Sequence, residues 1–194
     1  MLLYTVQLSY NNYIPTYLVK EYEWCPLIPW IIANSVYDPP TTPSMEKGIE
    51  THRDQNSLEE VAKTLELGDY ILEILLVSRK HRVVGLVDIL SRKAKLLVDV
   101  KYTEKKPPRS HIAQLETYTL LAWHNNIPVY KALIVNHKTE ILYSLEVDNY
   151  TLERARKRVE KTWKIIQSPD PPLVQQPQEK CNYCRYRTRC PNNP

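Results

Sequence analysis

The sequence predicts a mixed α/β fold, because stretches with the two-residue period of strands alternate with stretches suited to helices. Residues 83–90 (V-V-G-L-V-D-I-L) and 95–102 (K-L-L-V-D-V-K-Y) are rich in valine and leucine, and a short basic turn joins them. Two paired strands have this pattern. Residues 110–125 and 149–167 instead predict helices. The chain of 194 residues is long enough for one sizeable domain with small appendages.

Further elements follow from the same signals. Short turns, S-R-K-H and S-R-K-A, separate the first three strands and favour an antiparallel meander. Ser44 is a candidate N-cap for a helix that ends near Gly68. Pro26 and Pro29 follow Cys25, so we expect regular structure to be interrupted there. The five predicted strands are residues 70–77, 82–90, 95–102, 129–136 and 140–147.

Composition narrows the class of protein. No apolar run reaches the length of about 20 residues that a membrane-spanning helix needs. The N-terminal sequence lacks the basic region and cleavage site of a signal peptide. We therefore expect a cytoplasmic protein with no membrane partner. The net charge of +4 permits a nucleic-acid partner without requiring one. The sequence does not decide whether the protein is a homo-oligomer.

Two acids and an amine form the first candidate site. Asp99 and Lys101 point to one face of their strand because side chains alternate with period two. Pairing of the two strands would bring Asp88 beside Asp99. Two carboxylates among apolar side chains need a cation, which a divalent metal and Lys101 would supply. The alternative is a chance Asp-x-Lys pair on an exposed edge strand.

Other side chains could complete this site. The main-chain carbonyl of Val100 would add an oxygen ligand for Mg²⁺ or Mn²⁺, and the imidazole of His52 would favour Mn²⁺ unless it is a surface histidine. Gln114 and Tyr118 lie one helical turn apart and could support the strand or reach a phosphate, unless they form a surface pair. Glu73 lies within an apolar strand and could approach the site, although it is expected to face solvent.

The cysteines form a second candidate site. Cys181, Cys184 and Cys190 have the spacing C-x2-C-x5-C, and Cys25 lies far upstream. A [4Fe–4S] cluster, a Cys₄ zinc site and a pair of disulfides all remain open on spacing alone. A metal on all four would connect the two ends of the chain, across a Pro- and Gln-rich linker at residues 168–179.

Basic residues suggest a surface for the DNA backbone. They lie on the last predicted helix and on the loop before residue 110, and phosphate contacts would use their charge. The alternative is a solvated helix face. The residues predicted to bind DNA are Lys105, Lys106, Arg109, Arg154, Arg158 and Lys161.

The ordered motifs together resemble one known family. They are G-I-E-T-H (residues 48–52), G-L-V-D (85–88), D-V-K (99–101), Q-L-E-T-Y (114–118), and one cysteine before three. This set resembles the RecB-like nucleases associated with CRISPR systems, a branch of the PD-(D/E)xK nucleases. The resemblance implies a central mixed sheet flanked by helices and a metal-dependent exonuclease that acts on single-stranded DNA, mostly from the 5′ end.

The resemblance also implies roles for single residues. His52, Asp88, Asp99 and the carbonyl of Val100 would hold Mn²⁺ or Mg²⁺. Lys101 would be catalytic together with the two acids, and Gln114 and Tyr118 would support the site. Asp99 departs from the glutamate of many relatives, which puts rate and metal preference in doubt. The four cysteines would hold a cluster, usually [4Fe–4S] and sometimes [2Fe–2S].

The biological role implied is CRISPR adaptation, in which DNA fragments are trimmed and oriented before the CRISPR integrase proteins insert them. The implied organisation is an N-terminal segment (residues 1–43), a nuclease domain (44–167) and a linker with the cysteine segment (168–194), which packs on the N-terminal segment. Two alternatives remain: a non-catalytic iron–sulfur adaptor that binds DNA for the integrase, and a zinc-bearing DNA repair nuclease subunit.

Overall fold

The structure, a computed structural model, describes residues 12–35, 41, 46 and 55–192. Strands and helices alternate along the described chain. The strands are β1 (Ile14–Pro15), β2 (Ile71–Ser78), β3 (Val83–Ser91), β4 (Leu96–Lys101), β5 (Lys131–Asn136) and β6 (Ile141–Glu146). The helices are α1 (Thr16–Trp24), α2 (Leu27–Asn34), α3 (Gln55–Thr64), α4 (Arg109–His124), α5 (Asn149–Ile166) and α6 (Gln178–Asn182), followed by a 3₁₀ turn at Arg187–Arg189.

The strands form one mixed sheet, which confirms the predicted fold class. β2, β3 and β4 pair antiparallel in chain order, as the meander predicted. β4 and β5 are parallel, and α4 makes the connection that parallel strands require. β5 and β6 are antiparallel, and β1 pairs in parallel with the start of β3. The site-bearing strands β3 and β4 therefore lie inside the sheet.

Helices cover both faces of the sheet, and a separate apolar core fills each face. The first core packs α1, α4 and α5 against the sheet through buried side chains such as Leu18, Leu115 and Val159. The second packs Leu58 of α3 against Val98 and neighbouring strand residues. The buried surface of both cores supplies the main driving force for the fold.

Strands β2 and β3 both change face at the same level of the sheet. Val87 packs in the first core and Ile89 in the second, although residues two apart in a regular strand share a face. The irregular residue between them is Asp88. On the paired strand Glu73 has a φ of 49°, in the left-handed region that is rare for non-glycine residues. This shared irregularity sets the position of Asp88.

A small third cluster joins the two ends of the described chain. Leu27, Ile28 and Ile31 of α2 pack against Tyr186, and three of the cysteines border this cluster. The indole N–H of Trp30 also donates to the carbonyl of Ser168, at 3.0 Å. The cysteine segment is therefore docked on α2 by apolar contacts as well as by polar ones.

The helix predicted from Ser44 lies partly outside the described residues, and Gln55–Thr64 is its described part. Regular structure does break at Cys25, but helices α1 and α2 on either side were not predicted. Within the described part of the chain, none of the helices combines the length and apolar character needed to cross a bilayer.

Candidate metal and active site

The strand register brings the two predicted carboxylates together. Ile89 of β3 pairs with Val98 of β4, and the next position along this register places Asp88 opposite Asp99. Both residues are buried, and Asp99 is only 1% exposed. The backbone N–H of Val100 donates to Oδ2 of Asp88 at 2.7 Å. The prediction that strand pairing would place these acids side by side is confirmed in the geometry.

The environment of Asp88 favours its protonated form in the protein without metal. Burial raises the pKa of Asp88, and the nearby Asp99 charge raises it further, to about 7. The charge of Lys101 and the Val100 N–H act in the opposite direction but are outweighed. A carboxyl group with this pKa is ready to ionise when a cation arrives.

Lys101 is held against the acids. Its Nζ lies 2.8 Å from Oδ1 of Asp99, and its side chain is 19% exposed. Burial on its own lowers the pKa of Lys101, but the charges of Asp99 and Asp88 outweigh burial and raise it above its usual value. Lys101 is therefore an ammonium at neutral pH, able to donate hydrogen bonds to water or to a phosphate oxygen.

One oxygen of Asp99 lacks a partner. Its Oδ2 atom is buried and accepts no hydrogen bond from the residues that the structure describes. A buried carboxylate oxygen left unsatisfied costs free energy unless another group compensates it. Mg²⁺ and Mn²⁺ are bound by oxygens of this kind. The residues present thus fit a divalent metal, with Asp88 and Asp99 as ligands.

The remaining predicted ligands are less defined. His52 lies outside the described residues, and the role of the Val100 carbonyl stays a prediction. Across the described residues, no three His, Cys, Asp or Glu side chains stand close enough to hold a metal together. The described chain therefore supplies a pair of carboxylates, which needs further oxygen or nitrogen ligands to complete a metal site.

Glu73 lies nearer to this site than predicted. It is half-buried, and its charge contributes to the raised pKa of Asp88. Leu72 pairs with Ile89 and Ile74 with Val87, so the intervening register places Glu73 opposite Asp88. Of the two options, the structure favours approach to the site over a side chain that faces solvent, and the left-handed backbone at Glu73 interrupts the strand alternation there.

Gln114 and Tyr118 of α4 form an ordered pair beneath the site. Both side chains are buried, and Nε2 of Gln114 donates to the Tyr118 hydroxyl at 3.0 Å. Burial raises the pKa of Tyr118, and the negative charge of Asp99 raises it further, so the phenol stays protonated. The alternative of a surface pair is excluded, and the two side chains are placed to support Asp99 and Lys101.

Sequence reasoning missed the glycine that lets α4 approach the sheet. A Cβ atom on Gly85 would lie 2.6 Å from Cγ2 of Thr16 and 2.7 Å from Cε1 of Tyr118. Both contacts are shorter than van der Waals packing allows. Gly85 therefore fixes the distance between β3 and the Tyr118 ring, and the signal available in the sequence was a glycine inside an apolar strand.

Two of the predicted DNA-binding arginines make internal ion pairs. Glu116 of α4 is fully buried and accepts hydrogen bonds from the guanidinium groups of Arg154 and Arg158 on α5. Arg158 also donates to Oε2 of Glu23 at 2.9 Å. These arginines compensate a buried carboxylate, which was not predicted. Their charge is therefore mostly committed to the contact between α1, α4 and α5.

The other predicted DNA-binding residues are exposed. Lys105, Lys106 and Arg109 border the loop between β4 and α4, and Lys161 lies on the outer face of α5. The loop follows directly from β4, the strand that carries Asp99 and Lys101. Contact of these four residues with DNA stays a prediction, and the loop residues lie closer in sequence to the acidic site than Lys161 does.

The four cysteines are free thiols that the fold gathers in one region. Cys25, Cys184 and Cys190 all pack at the edge of the cluster that contains Ile28 and Tyr186. Burial raises the pKa of the Cys25 thiol, and the neighbouring thiols of Cys184 and Cys190 raise it further. Cys181 acts on the pKa of Cys184 in the same way. The disulfide alternative is not formed in this structure.

A buried histidine near the site was also missed. Nδ1 of His111, in the first turn of α4, is buried without a hydrogen-bond partner among the described residues. Burial lowers the pKa of His111 to about 4, with the positive charges of Lys101 and Lys20 adding to the effect. The imidazole is therefore neutral at neutral pH and lies within electrostatic range of the Lys101 amine.

Comparison of the sequence with known protein families identifies the family of this chain. The sequence profile of the PD-(D/E)XK nuclease superfamily matches residues 41–191, most of the chain. The chain belongs to the PD-(D/E)XK nuclease superfamily. Its pattern is present as Asp99-Val100-Lys101, with Asp88 on the preceding strand. Nucleases of this superfamily typically use Mg²⁺ or Mn²⁺, in agreement with the unsatisfied oxygen of Asp99.

Two solved structures are similar to this chain to different degrees, and the first of them has the same overall fold. The crystal structure of SSO0001 is similar with a TM-score of 0.56 and 20% sequence identity, over 94% of this chain and 87% of that one. A phage related exonuclease from Haemophilus somnus 129PT has a TM-score of 0.49 and 13% identity, over 78% of each chain. No curated protein sequence matches the chain.

Proposed function

We propose that this PD-(D/E)XK nuclease is a metal-dependent exonuclease that degrades single-stranded DNA from the 5′ end. The observation that carries the proposal is the buried Asp88–Asp99 pair with Lys101 at 2.8 Å and an unsatisfied Asp99 oxygen. The polarity and the preference for single strands rest on the resemblance of the ordered sequence motifs to the RecB-like family.

Each residue has a defined part in this chemistry. Asp88 and Asp99 would hold the metal, which supplies Lewis-acid activation of water and neutralises phosphate charge. The Lys101 ammonium, oriented by Asp99, donates to the attacking water and to the phosphate oxygen on which charge develops. Tyr118 and Gln114 of α4 would keep β4 in position. The site of cleavage is thus built on rigid strands.

Cleavage of labelled DNA tests the proposal. Wild-type protein with Mn²⁺ should shorten 5′-labelled and 3′-labelled single strands in the patterns expected of 5′-to-3′ degradation, and Asp99→Ala should not. Asp170→Ala is the matched control, because Asp170 is exposed and distant in sequence from the acids. Equal behaviour of wild type and Asp99→Ala would leave a non-catalytic DNA-binding adaptor as the better description.

Circular single-stranded DNA distinguishes exonuclease from endonuclease activity. Circular single-stranded DNA offers no end, so an exonuclease leaves it intact while degrading the linear form of the same sequence. Degradation of both forms at similar rates would contradict the exonuclease assignment but leave the metal-dependent nuclease in place.

We further propose that Cys25, Cys181, Cys184 and Cys190 hold an iron–sulfur cluster, of the [4Fe–4S] type. The support is the C-x2-C-x5-C spacing together with the position of Cys25, Cys184 and Cys190 beside the cluster between α2 and Tyr186, although no three thiols of the described residues stand close enough in this structure to hold a metal. Anaerobically purified protein should be brown, with iron and sulfide in equal amounts, and Cys184→Ser should lose the colour. Colourless protein with one zinc per chain would favour the zinc-bearing repair nuclease subunit, and two irons would favour [2Fe–2S].

The biological setting that we propose is a cytoplasmic role in CRISPR adaptation, with the CRISPR integrase proteins as partners. A homo-oligomer would be compatible with this role. Sequence motifs support this setting. Integration reactions with purified integrase proteins should yield trimmed and uniformly oriented fragments when the nuclease is present. Fragments of the same length and orientation without it would contradict the role.

A further inference from the structure

A cavity of about 230 Å³ lies between α1, the start of α4 and the cysteine segment. Its volume is below the roughly 300–1,000 Å³ of pockets for larger ligands, so it has room for one nucleobase rather than for several. The lining residues that matter here are Lys20, Glu21, Trp24, His111, Tyr183 and Arg185.

His111 connects the cavity with the surroundings of the proposed cleavage site. It lines the cavity, and burial lowers the pKa of its imidazole, with the charges of Lys101 and Lys20 adding to the effect. Its Nδ1 is buried and has no hydrogen-bond partner among the described residues. Pro108 and Ser110, which also line the cavity, are part of the short connection from Lys101 to α4.

The walls combine aromatic surface with positive charge. Tyr183 is 89% exposed, so its ring contributes almost nothing to the packing of the fold. The Trp24 ring is held by the ammonium of Lys180, which lies 4.6 Å from the ring centroid. Lys20 and Arg185 add cationic groups. Stacking surfaces beside cations are what sites for single-stranded nucleic acid provide.

The one carboxylate in the wall limits what can bind. Glu21 pairs with Lys20 at 3.3 Å. A phosphate placed against Glu21 would be repelled, whereas the amino group of a base can donate to a carboxylate. The interior therefore suits a base, and the phosphates suit the cationic groups of Lys20 and Arg185.

We propose that this cavity binds one nucleotide of the single-stranded DNA next to the phosphodiester that is cleaved, an inference that rests on the proposed function. The base stacks against Tyr183 and Trp24, His111 hydrogen-bonds to the nucleotide, and Lys20 contacts a phosphate. The strand thereby enters the cleavage site in a fixed register, one nucleotide at a time.

A series of oligonucleotides with one base missing at successive positions tests how the strand is positioned in the cavity. Each oligonucleotide of the series lacks the base at one position, counted from the end at which degradation starts. Wild-type protein should cleave about tenfold more slowly when the missing base is the one that enters the cavity, the effect of losing one stacked base. Tyr183→Ala should show that loss with intact DNA and no further loss with the base-free position.

Lys20→Ala is the second variant, and it does not touch the cysteine segment. It should keep the sensitivity to the missing base but lower the slope of log affinity against log salt by about one, since one phosphate contact is lost. The controls are Tyr130→Ala, an exposed aromatic at the opposite end of the parallel strands, and Lys63→Ala, which breaks a comparable surface ion pair on α3.

Two results separate the hypotheses. The cavity proposal would be overturned if Tyr183→Ala responded to base-free positions as wild type does and Lys20→Ala kept the wild-type slope of log affinity against log salt. The proposed nuclease activity would not be affected by these two results. Absence of cleavage by wild-type protein would overturn the proposed function. Anisotropy of labelled oligonucleotide with Ca²⁺ in place of Mn²⁺ would still compare the variants, and equal affinities would then reject the cavity as well.

Discussion

The backbone N–H of Val100 donates to Oδ2 of Asp88 at 2.7 Å, just beyond the last ladder pair between β3 and β4. This contact ties the first acid to the strand that carries the second acid and the amine. It also means that the acids are held together before any metal is present. The cost of that proximity appears in the raised pKa of Asp88.

Asp88 should therefore contribute less to the stability of the metal-free protein as pH rises from about 4 to about 7. The folded-state pKa of Asp88 is about 7, above its unfolded value, so the folded state binds more protons over this interval. Each unit of pKa difference corresponds to about 1.4 kcal/mol. Urea unfolding in EDTA should show this decline in the difference between wild type and Asp88→Asn, because His111, whose pKa is lowered, contributes stability that is gained as pH rises over the same range.

The control for this pH series is Asp69→Asn. Backbone N–H donation from Lys93 lowers the pKa of Asp69, so this residue contributes stability that is lost as pH falls. The effect of Asp88→Asn should depend on pH in the same way when Asp69→Asn is also present. A difference between wild type and Asp88→Asn that does not change with pH would show that Asp88 is ionised in the metal-free fold.

Removing the Lys101 amine should separate catalysis from binding. Lys101→Met keeps most of the side-chain volume but loses the donor to water and phosphate. We expect cleavage of single-stranded DNA to slow by about 10²–10³-fold, the loss typical of one electrostatic donor at a reacting centre. Affinity for DNA, measured by anisotropy in Ca²⁺, should change by less than about tenfold. An equal loss in both measurements would assign Lys101 to binding alone.

The close approach at Gly85 makes a steric prediction. A methyl group there meets Thr16 and Tyr118 at less than 3 Å, so Gly85→Ala should destabilise the protein by about 1–3 kcal/mol. It should also slow cleavage by displacing the Tyr118 ring. Gly68→Ala is the matched control, because no atom lies within 4 Å of its added Cβ. Equal unfolding midpoints for the two variants would contradict this account of the packing.

The buried ion pairs of Glu116 predict a large effect of a conservative change. Glu116→Gln leaves Arg154 and Arg158 without their carboxylate, and we expect a loss of about 2–4 kcal/mol. The loss is moderated because these arginine side chains are 32% and 20% exposed. Glu153→Gln, which alters a surface pair with Arg156, should cost much less than Glu116→Gln. Chemical denaturation measures the free energy of unfolding of both variants. Equal losses in the two variants would contradict the view that burial makes the Glu116 ion pairs more important.

The strands were predictable because a two-residue period and basic turns mark them directly. Helices α1 and α2 were missed because Pro26 and Pro29 suggested a break. Pro26 instead precedes α2 and Pro29 occupies its first turn, where backbone N–H groups have no partner within the helix and proline is tolerated. The break itself is real but short, and it is confined to Cys25 and the residue that follows.

The acidic site was predictable to the extent that it is local. Asp99 and Lys101 are two residues apart on one strand, and a hairpin brings Asp88 beside them. Glu116 could not be matched with Arg158 from sequence, because they lie on separate helices and only tertiary packing pairs them. Glu73 was misplaced because an irregular backbone angle left no mark in the apolar pattern.

The unit β4–α4–β5 carries Asp99, Lys101, Gln114 and Tyr118 on one uninterrupted stretch of chain, whereas Asp88 belongs to β3. A chimaera that exchanges residues 96–136 with a relative would transplant the amine, one acid and the supporting helix together. The other acid would stay with the recipient. Such exchanges offer protein engineers a direct way to assign metal selectivity to one half of the site or the other.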